Sequence, residues 1–534
     1  DALRTGELRI LPDRWEAVYV NWLDGIRDWN ISRQIWWGHR IPVWYCEACG
    51  NTPLVSRTDI TACPTCGGAV RQDSDVLDTW FSSWLWPMST IGWPNEQSAD
   101  LKAFYPGDVL VTAPEILFFW VSRMVMSGCW FMGKAPFHTV YLHGTVRDMQ
   151  HRKMSKSLGN GIDPLDVVRL YGADALRWTM VAGLGLGVDV MLDPNDLDKS
   201  FAPGRNFCTK LWNIGRFLLS RVGTEPVPAL STIPSSQLTA SDAWILARLD
   251  AAIAECDAAL GPARPANLRT WTDAERGRGL RLSEYAEAAR RFVWNELADW
   301  YLESIKPRLY AADGADKDVA RAVLAHAFDG ALRLLQPIIP FITEALWQHL
   351  PQTPSGQFVS QASWPRVRDA ATVSEAERAL ASSFDATREA VQAMNRVRSE
   401  YNVSPGARIT ATVIPVAVPM ALLESQASTM GSIARADVTV SGEAPTALSA
   451  SVVGTLVTVH VPLAGMIDMD KERARLSAEI DQLQAPLDAL LGRLSNEKFM
   501  AKAPPAVVDG ERAKAAEWQA RLAQLRAKLD QLGA

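Results

Sequence analysis

Two short β-branched runs flanking one helical pattern are the strongest constraint on how this 534-residue chain can fold. Asp108-Val-Leu-Val-Thr112 leads into a helical pattern that opens at Pro114 and runs to about Gly128, and Thr139-Val-Tyr-Leu142 follows. Proline suits a first helical turn, where its missing N–H has no partner to lose. Strand, helix, strand in this order implies a right-handed crossover within a parallel sheet. Ligands of such sheets lie beyond the carboxyl ends of the strands. Chemistry is therefore expected around Thr112, His143 and the loop after Gly144.

Composition narrows the class. Hydrophobic residues make up 48% and charged residues 21%, a globular balance that excludes a mainly disordered chain. No uncharged apolar run of about 18 residues signals a membrane span. Lys and Arg number 54 against 60 Asp and Glu, a net charge of −6, so any nucleic-acid partner has to be held by local patches. The length suggests about three or four domains. Many of the 21 Trp fall within Trp22–Trp130, which is expected to be a densely packed unit with large flat surfaces. The chain starts at Asp1 without a leader pattern, so it reads as cytoplasmic, with a start like a cut inside a longer protein.

Four of the seven cysteines form Cys46-Glu-Ala-Cys49 and Cys63-Pro-Thr-Cys66, two pairs 13 residues apart. Each pair can make a tight knuckle, and two knuckles supply the four thiolates that tetrahedral zinc takes. Gly50, Gly67 and Gly68 stand where knuckles need positive φ. Two disulfides or four unrelated core cysteines are the alternatives. The lack of a secretion signal and the scatter of Cys129, Cys208 and Cys256 favour zinc. Four thiolates leave no open coordination position, so the site would be structural.

Residues 17–40 read as a helix followed by a turn at Gly38, and Asp163-Pro164 opens a helix to Tyr171 that Gly172 stops. Helical pattern then dominates Asn206–Leu219, Ser241–Leu260, Leu282–Leu309 and Val319–Leu350, with loops at 226–238 and 351–373. Arg408–Ile414 and Val452–Val461 alternate at period two, which suggests a small α/β unit. Near the end, Leu476, Ile480, Leu483, Leu487, Leu490 and Leu494 make one apolar stripe. After Ala503-Pro504-Pro505, Ala515, Trp518, Leu522, Leu525, Leu529 and Leu532 make another. Two such stripes predict an antiparallel helical hairpin. Residues 466–534 hold 11 basic and 11 acidic side chains, so charge alone does not make this arm bind nucleic acid.

Lys153-Met154-Ser155-Lys156-Ser157-Leu158-Gly159-Asn160 follows the expected strand end at His143-Gly144. Lysines offer point charges to phosphate oxygens, and serines offer short donors. On a mobile loop these groups can close on a leaving pyrophosphate as its charge develops. A merely solvated basic loop is the plain alternative, and the position at a parallel strand end argues against it.

Lys153–Ser157 matches the KMSKS signature of the class I aminoacyl-tRNA synthetases. Trp29–Trp44, Asp75–Trp86, Phe118–Val121, Trp294–Tyr301, Lys306–Tyr310 and the terminal hairpin with Leu494–Phe499 near its tip resemble the valyl-tRNA synthetase family. The resemblance implies an α/β multidomain protein. Residues 1–197 would be the C-terminal part of a Rossmann-type parallel-sheet catalytic domain, with the zinc insertion at 41–72 and the KMSKS loop at 145–160. An α-helical anticodon-binding domain at 198–390, a small α/β domain at 391–465 and a coiled-coil tRNA-binding arm at 466–534 would follow. It implies activation of valine with ATP and Mg2+, then transfer to tRNA(Val), by a monomer with structural Zn2+. Lys153 and Lys156 would be catalytic; Lys156, Ser155, Ser157, His143 and Gly144 would hold ATP; Trp80, Glu115, Ile116 and Trp120 would bind the substrate; Cys46, Cys49, Cys63 and Cys66 would hold the metal. Plain core packing is the alternative for each aromatic, as a satisfied turn histidine is for His143. Arg396 and Arg398 lie near the helical domain's boundary, where a solvated helix face is the plainer reading.

Three departures from the family pattern stand out. The His-x-Gly-His signature and the editing domain are absent, and the resemblance implies that both lie upstream of Asp1, leaving this portion without half of its ATP site. Thr112-Ala113-Pro114-Glu115 stands where a Gly and an Asp are usual. His151 replaces the Gly common before Arg152, in a position where histidine tolerates the left-handed region. A non-catalytic tRNA-binding protein and the isoleucine enzyme are the competing readings.

Overall fold

The computed structural model describes residues 1–50, 53–223, 225–262, 264–404, 406–447, 449–463, 469–496 and 504–531. Chain contacts divide it into two compact units, one of residues 1–220, 250–294 and 329–367, the other of 221–249, 295–328 and 368–534.

In the first unit, strands Arg9–Leu11, Phe137–Leu142 and Gly107–Thr112 lie side by side in that order, all parallel. Ile10 and Leu110 both stand opposite Val140. Between the second and third strands in sequence runs a continuous helical stretch. It is a 3-10 turn at Pro114–Ile116, a π turn at Leu117–Val121 and an α-helix at Ser122–Met132. Leu117, Val121 and Met124 bury against Leu8, Ile10, Val140 and Leu142, each side chain contributing roughly 1.5–3 kcal/mol of apolar burial. The expected crossover is thus present, its helix reaching Met132.

The helix at Pro164–Tyr171 has the bounds its local signals predict, with the Asp163 carboxylate accepting from Leu165 N. Two expectations for the residues before Gly133 fail. The helix read over 17–40 spans only Arg14–Asp24, after which Ser32–Arg33 form a strand paired with Val76–Leu77. The Asp78 carboxylate fixes that pairing by accepting from Trp29 Nε1 at 2.9 Å and Arg33 Nη2 at 2.7 Å. The Trp-rich stretch is also not uniformly packed. Trp36, Trp37 and Trp130 are 96%, 89% and 83% exposed, because the turn at Gly38 carries the first two rings beyond the paired strands. Between Val43 and Gln72, strands Leu54–Val55, Val43–Cys46 and Val70–Gln72 form a small antiparallel sheet.

Helices dominate from Leu197, through Leu197–Val222, Ala240–Leu260 and Leu282–Tyr310, the last with a π stretch at Phe292–Tyr301. Val319–Leu350, expected as one run, is instead two helices, Ala315–Leu335 and Pro340–Trp347. Pro337 and Pro340 supply no N–H there, and the Asp174 carboxylate caps the second helix through Phe341 N and Ile342 N.

In the second unit, strands Ala436–Val440, Ile409–Pro415, Val457–Pro462 and Ser449–Val453 form a four-stranded sheet in that order, its first pair parallel and the others antiparallel. The alternation in Val452–Val461 thus belongs to two strands of a hairpin. Ile409, Ala411, Val413, Val457, Val459 and Val461 point into a core shared with Met394, Val397, Leu423 and Met430. The Glu375–Glu400 helix crosses position 390 without a break. A buried polar cluster completes this unit: Asp242 accepts from Arg308 Nη1, Thr239 Oγ1 and Tyr301 OH, each at 2.7 Å.

Helices Met469–Leu494 and Pro505–Gln531 pack on each other through Leu487, Leu490, Ala515 and Leu522. Arg493 pairs with Glu511 at 3.4 Å and Glu479 with Arg521 at 3.0 Å, so the two run antiparallel. Ala503, Leu532 and 497–499 of the expected tip lie outside the described residues. Among the described residues no helix is long and apolar enough to cross a membrane.

Candidate active site at the carboxyl edge of the parallel sheet

A cavity of about 420 Å³ opens where the parallel strands end, within the range that small-molecule sites occupy. Ala113 and Glu115 reach it from the end of one strand, and His143, Gly144 and Thr145 from the end of its neighbour. Lys153 and Met154 also line it, as do Met180, Leu184, Gly185, Gly187, Val188 and Val190. His143 N donates to the Thr112 carbonyl at 3.0 Å, which holds the two strand ends in step. Gly144 is required by space, since a Cβ there would come within 1.8 Å of the Val188 carbonyl oxygen. The His143 ring, exposed, has Nδ1 2.8 Å from the Gly144 carbonyl.

The Lys/Ser loop is braced from below. Asp148 is buried and accepts from Asn160 Nδ2 at 2.9 Å, Arg152 Nε at 2.9 Å, and the backbone N–H groups of Gln150 and Arg152 at 3.0 Å. The Asn160 hydrogen bond, then those from Arg152 and Gln150, hold the Asp148 carboxyl far below the usual carboxylate range. Asn160 Oδ1 in turn accepts from Ser155 N at 3.0 Å. His151 takes φ 63, the left-handed conformation for which a glycine is usual. Ser155 Oγ lies 3.1 Å from Ser157 Oγ.

Lys153 Nζ is 2.9 Å from Glu115 Oε1, and Thr145 Oγ1 donates to the same oxygen at 3.4 Å. The Lys153 contact keeps the Glu115 carboxyl below its ordinary value. The fold therefore gathers Glu115, His143, Gly144 and Lys153 around one hollow. Lys156, Ser155, Ser157, Trp80, Ile116 and Trp120 do not line it. Lys156 is exposed. Trp80 stacks on Phe119 with ring centroids 6.1 Å apart, and Trp120 tilts against Trp86 at 5.7 Å. Sequence reasoning missed Thr145, Asp148 and the bracing role of Asn160. The polar residues bracketing the lysines were the available signal.

The four cysteines converge as their spacing predicts. Cys46 and Cys66 Sγ atoms lie 3.6 Å apart, Cys49 and Cys63 3.8 Å apart, and all four within 4.8 Å of one another. Zinc–sulfur bonds of about 2.3 Å in a tetrahedron put sulfurs about 3.8 Å apart, whereas a disulfide needs about 2.05 Å. The donor set thus fits zinc. Backbone N–H groups of Cys66 and Thr65 pull the Cys63 thiol down to about 6, and that of Cys49 lowers Cys46. Gly50 and Gly67 adopt φ 55 and 74. Gly68 differs from the expectation: its constraint is room, an added Cβ meeting Ala48 Cβ at 2.9 Å and Cys66 Sγ at 3.3 Å.

Residues 2–193 match the family of class I tRNA synthetases (I, L, M and V). Residues 277–414 match the anticodon-binding domain of tRNA ligases, and 468–533 the valyl tRNA synthetase tRNA binding arm. Valine--tRNA ligase of Syntrophotalea carbinolica is 42% identical over 100% of this chain and 57% of its own length. That of Symbiobacterium thermophilum is 41% identical over 96% of this chain and 56% of its own length. The chain thus spans just over half the length of these relatives. A solved ternary complex of Agrobacterium radiobacter K84 LeuRS, tRNA and LeuAMS aligns over 66% of this chain and 45% of its own, at 20% identity and TM-score 0.47.

Proposed function

Because the chain belongs to the class I tRNA synthetases of the isoleucine, leucine, methionine and valine group, we propose that it serves in ATP-dependent activation of valine and transfer of the valyl group to tRNA. The observation that carries this reading is Lys153 of the KMSKS loop standing at the hollow beyond the parallel strands, with Glu115, His143 and Gly144. ATP would lie along that edge, its phosphates toward the loop. Lys153 and Lys156 would steady the pyrophosphate as charge builds on it, with Ser155 and Ser157 as short donors. A loop braced at Asp148 and Asn160 can keep its lysines within reach while its tip moves. No covalent enzyme intermediate is required, so orientation and charge stabilisation supply the rate.

Trp80, Ile116 and Trp120 would form the apolar wall for the branched side chain, with Glu115 meeting the amine or ribose. Cys46, Cys49, Cys63 and Cys66 would hold a structural zinc that stiffens the 41–72 insertion. The helices of 198–390 would bind the anticodon, the 391–465 α/β unit would follow them, and the paired helices of 466–534 would form a coiled-coil arm that binds the tRNA. Valine-dependent ATP–pyrophosphate exchange, measured on the whole translated reading frame that contains these residues, tests the assignment. Lys156→Ala should abolish it; undiminished exchange in that variant refutes the role given to Lys156.

A further inference from the structure

The two lysines of the 153–157 motif are held differently. Lys153 Nζ sits 2.9 Å from Glu115 Oε1, with both side chains on the rim of the hollow. Lys156 is exposed and makes no side-chain hydrogen bond or ion pair among the described residues. The loop's shape does not depend on Glu115, because its base is fixed by Asp148, Arg152 and Asn160. Apart from the long 3.4 Å hydrogen bond from Thr145 Oγ1 at the loop's start, Glu115 therefore acts on one ammonium group and not on the braced base of the loop. Its carboxylate also occupies, in charge, the place where an anionic oxygen would meet Lys153.

We propose that Glu115 is a positioning residue that parks Lys153 across the mouth of the hollow, so that an entering polyphosphate must displace this carboxylate before Lys153 can serve it. The proposal rests on the phosphate-handling role given to the loop above. Lys156 is then the first cation an incoming phosphate meets, and Lys153 the second, released by exchange of one anionic partner for another. The pair is half exposed, with side chains 59% and 45% accessible. Such contacts are weak enough to be exchanged, and shift an equilibrium by about two- to fivefold.

Competitive acylation of lysines, read by mass spectrometry of peptides from the full chain, tests this with Lys156 as the internal reference. Glu115→Gln keeps the size and removes the charge. It should raise Lys153 labelling by about two- to fivefold while leaving Lys156 unchanged, and should tighten binding of inorganic pyrophosphate by a similar factor. Lys153 labelling that stays constant, or that rises together with Lys156, overturns the parking role. In the wild-type chain, inorganic pyrophosphate should protect both lysines. If it protects neither while Glu115→Gln still frees Lys153, the phosphate reading of the loop falls and the ion pair's hold on Lys153 stands.

Discussion

The segment Val43–Gln72 and the four-stranded sheet of 409–462 are both small β-structures, yet they are held together by opposite means. The sheet is built on apolar side chains, with Ala411, Val413, Leu423, Met430, Val459 and Val461 all fully buried. In the cysteine segment, among the described residues, only Trp44, Cys46 and Cys63 of the hydrophobic residues are buried. Its cohesion lies in four sulfur atoms within 4.8 Å of one another. The difference teaches that two pieces of one chain can answer to different chemistry, one to water and packing, the other to a cluster of thiols with the donor geometry of a metal site.

The most severe way to break this comparison is to deprive the four thiols of the zinc that their geometry fits. Structural zinc contributes roughly 10–16 kcal/mol in small modules. A chelator, or Cys63→Ser, should therefore abolish amide protection throughout 43–72 and leave that of 409–462 unchanged. Unaltered protection in 43–72 would show that its fold does not depend on the thiolates. The converse change is Leu423→Ala, which should cost about 2–5 kcal/mol in chemical denaturation without touching exchange in 43–72.

A third segment sharpens the contrast on a smaller scale, since the 145–160 loop is also organised by polar atoms. Asn160→Ala should lower amide protection in that loop roughly tenfold, the worth of one lost buried partner. The pH sign follows from the depressed Asp148 carboxyl. Its contribution is present above the ordinary aspartate value of about 3.9 and is lost as pH falls through the lower folded value. Loop protection in the wild type should decline on that acid side, and the Asn160→Ala profile should be flatter. The smallest effect is expected of His151→Gly. Relief of a left-handed φ is worth about 1–2 kcal/mol, but glycine's added chain entropy offsets about 0.5–1 kcal/mol of it. Urea denaturation should show a slightly higher midpoint, corresponding to a gain in unfolding free energy of about 1 kcal/mol or less.

What could be read from the sequence was what neighbours in the chain decide. Asp163, Pro164 and Gly172 set both ends of their helix, and the Cys spacing brought four sulfurs together. Where a distant partner decides, reading failed. Ile26–Arg40 is not helical because Ser32–Arg33 pair with Val76–Leu77, more than forty residues away. The part of the hollow's lining drawn from Leu184–Val190 was also missed, as its glycine-rich run has no periodicity to follow. Glu115 was noticed as a departure, but its contact with Lys153 belongs to folding and could not be seen in spacing.

The Glu375–Glu400 helix has a mechanical consequence. Near its middle Asp385 accepts from Trp244 Nε1 at 3.0 Å, and four residues on Glu389 accepts from Leu456 N at 3.0 Å. Arg398, near its end, donates to the Ala434 and Arg435 carbonyls at 3.0 and 2.9 Å. One shaft is bolted to Trp244's helix through Asp385, to the start of the Val457–Pro462 strand through Glu389, and to the C-terminal end of the Ala427–Ala434 helix through Arg398. A torque applied to Trp244's helix is delivered to the 449–462 hairpin without a joint in between to absorb it.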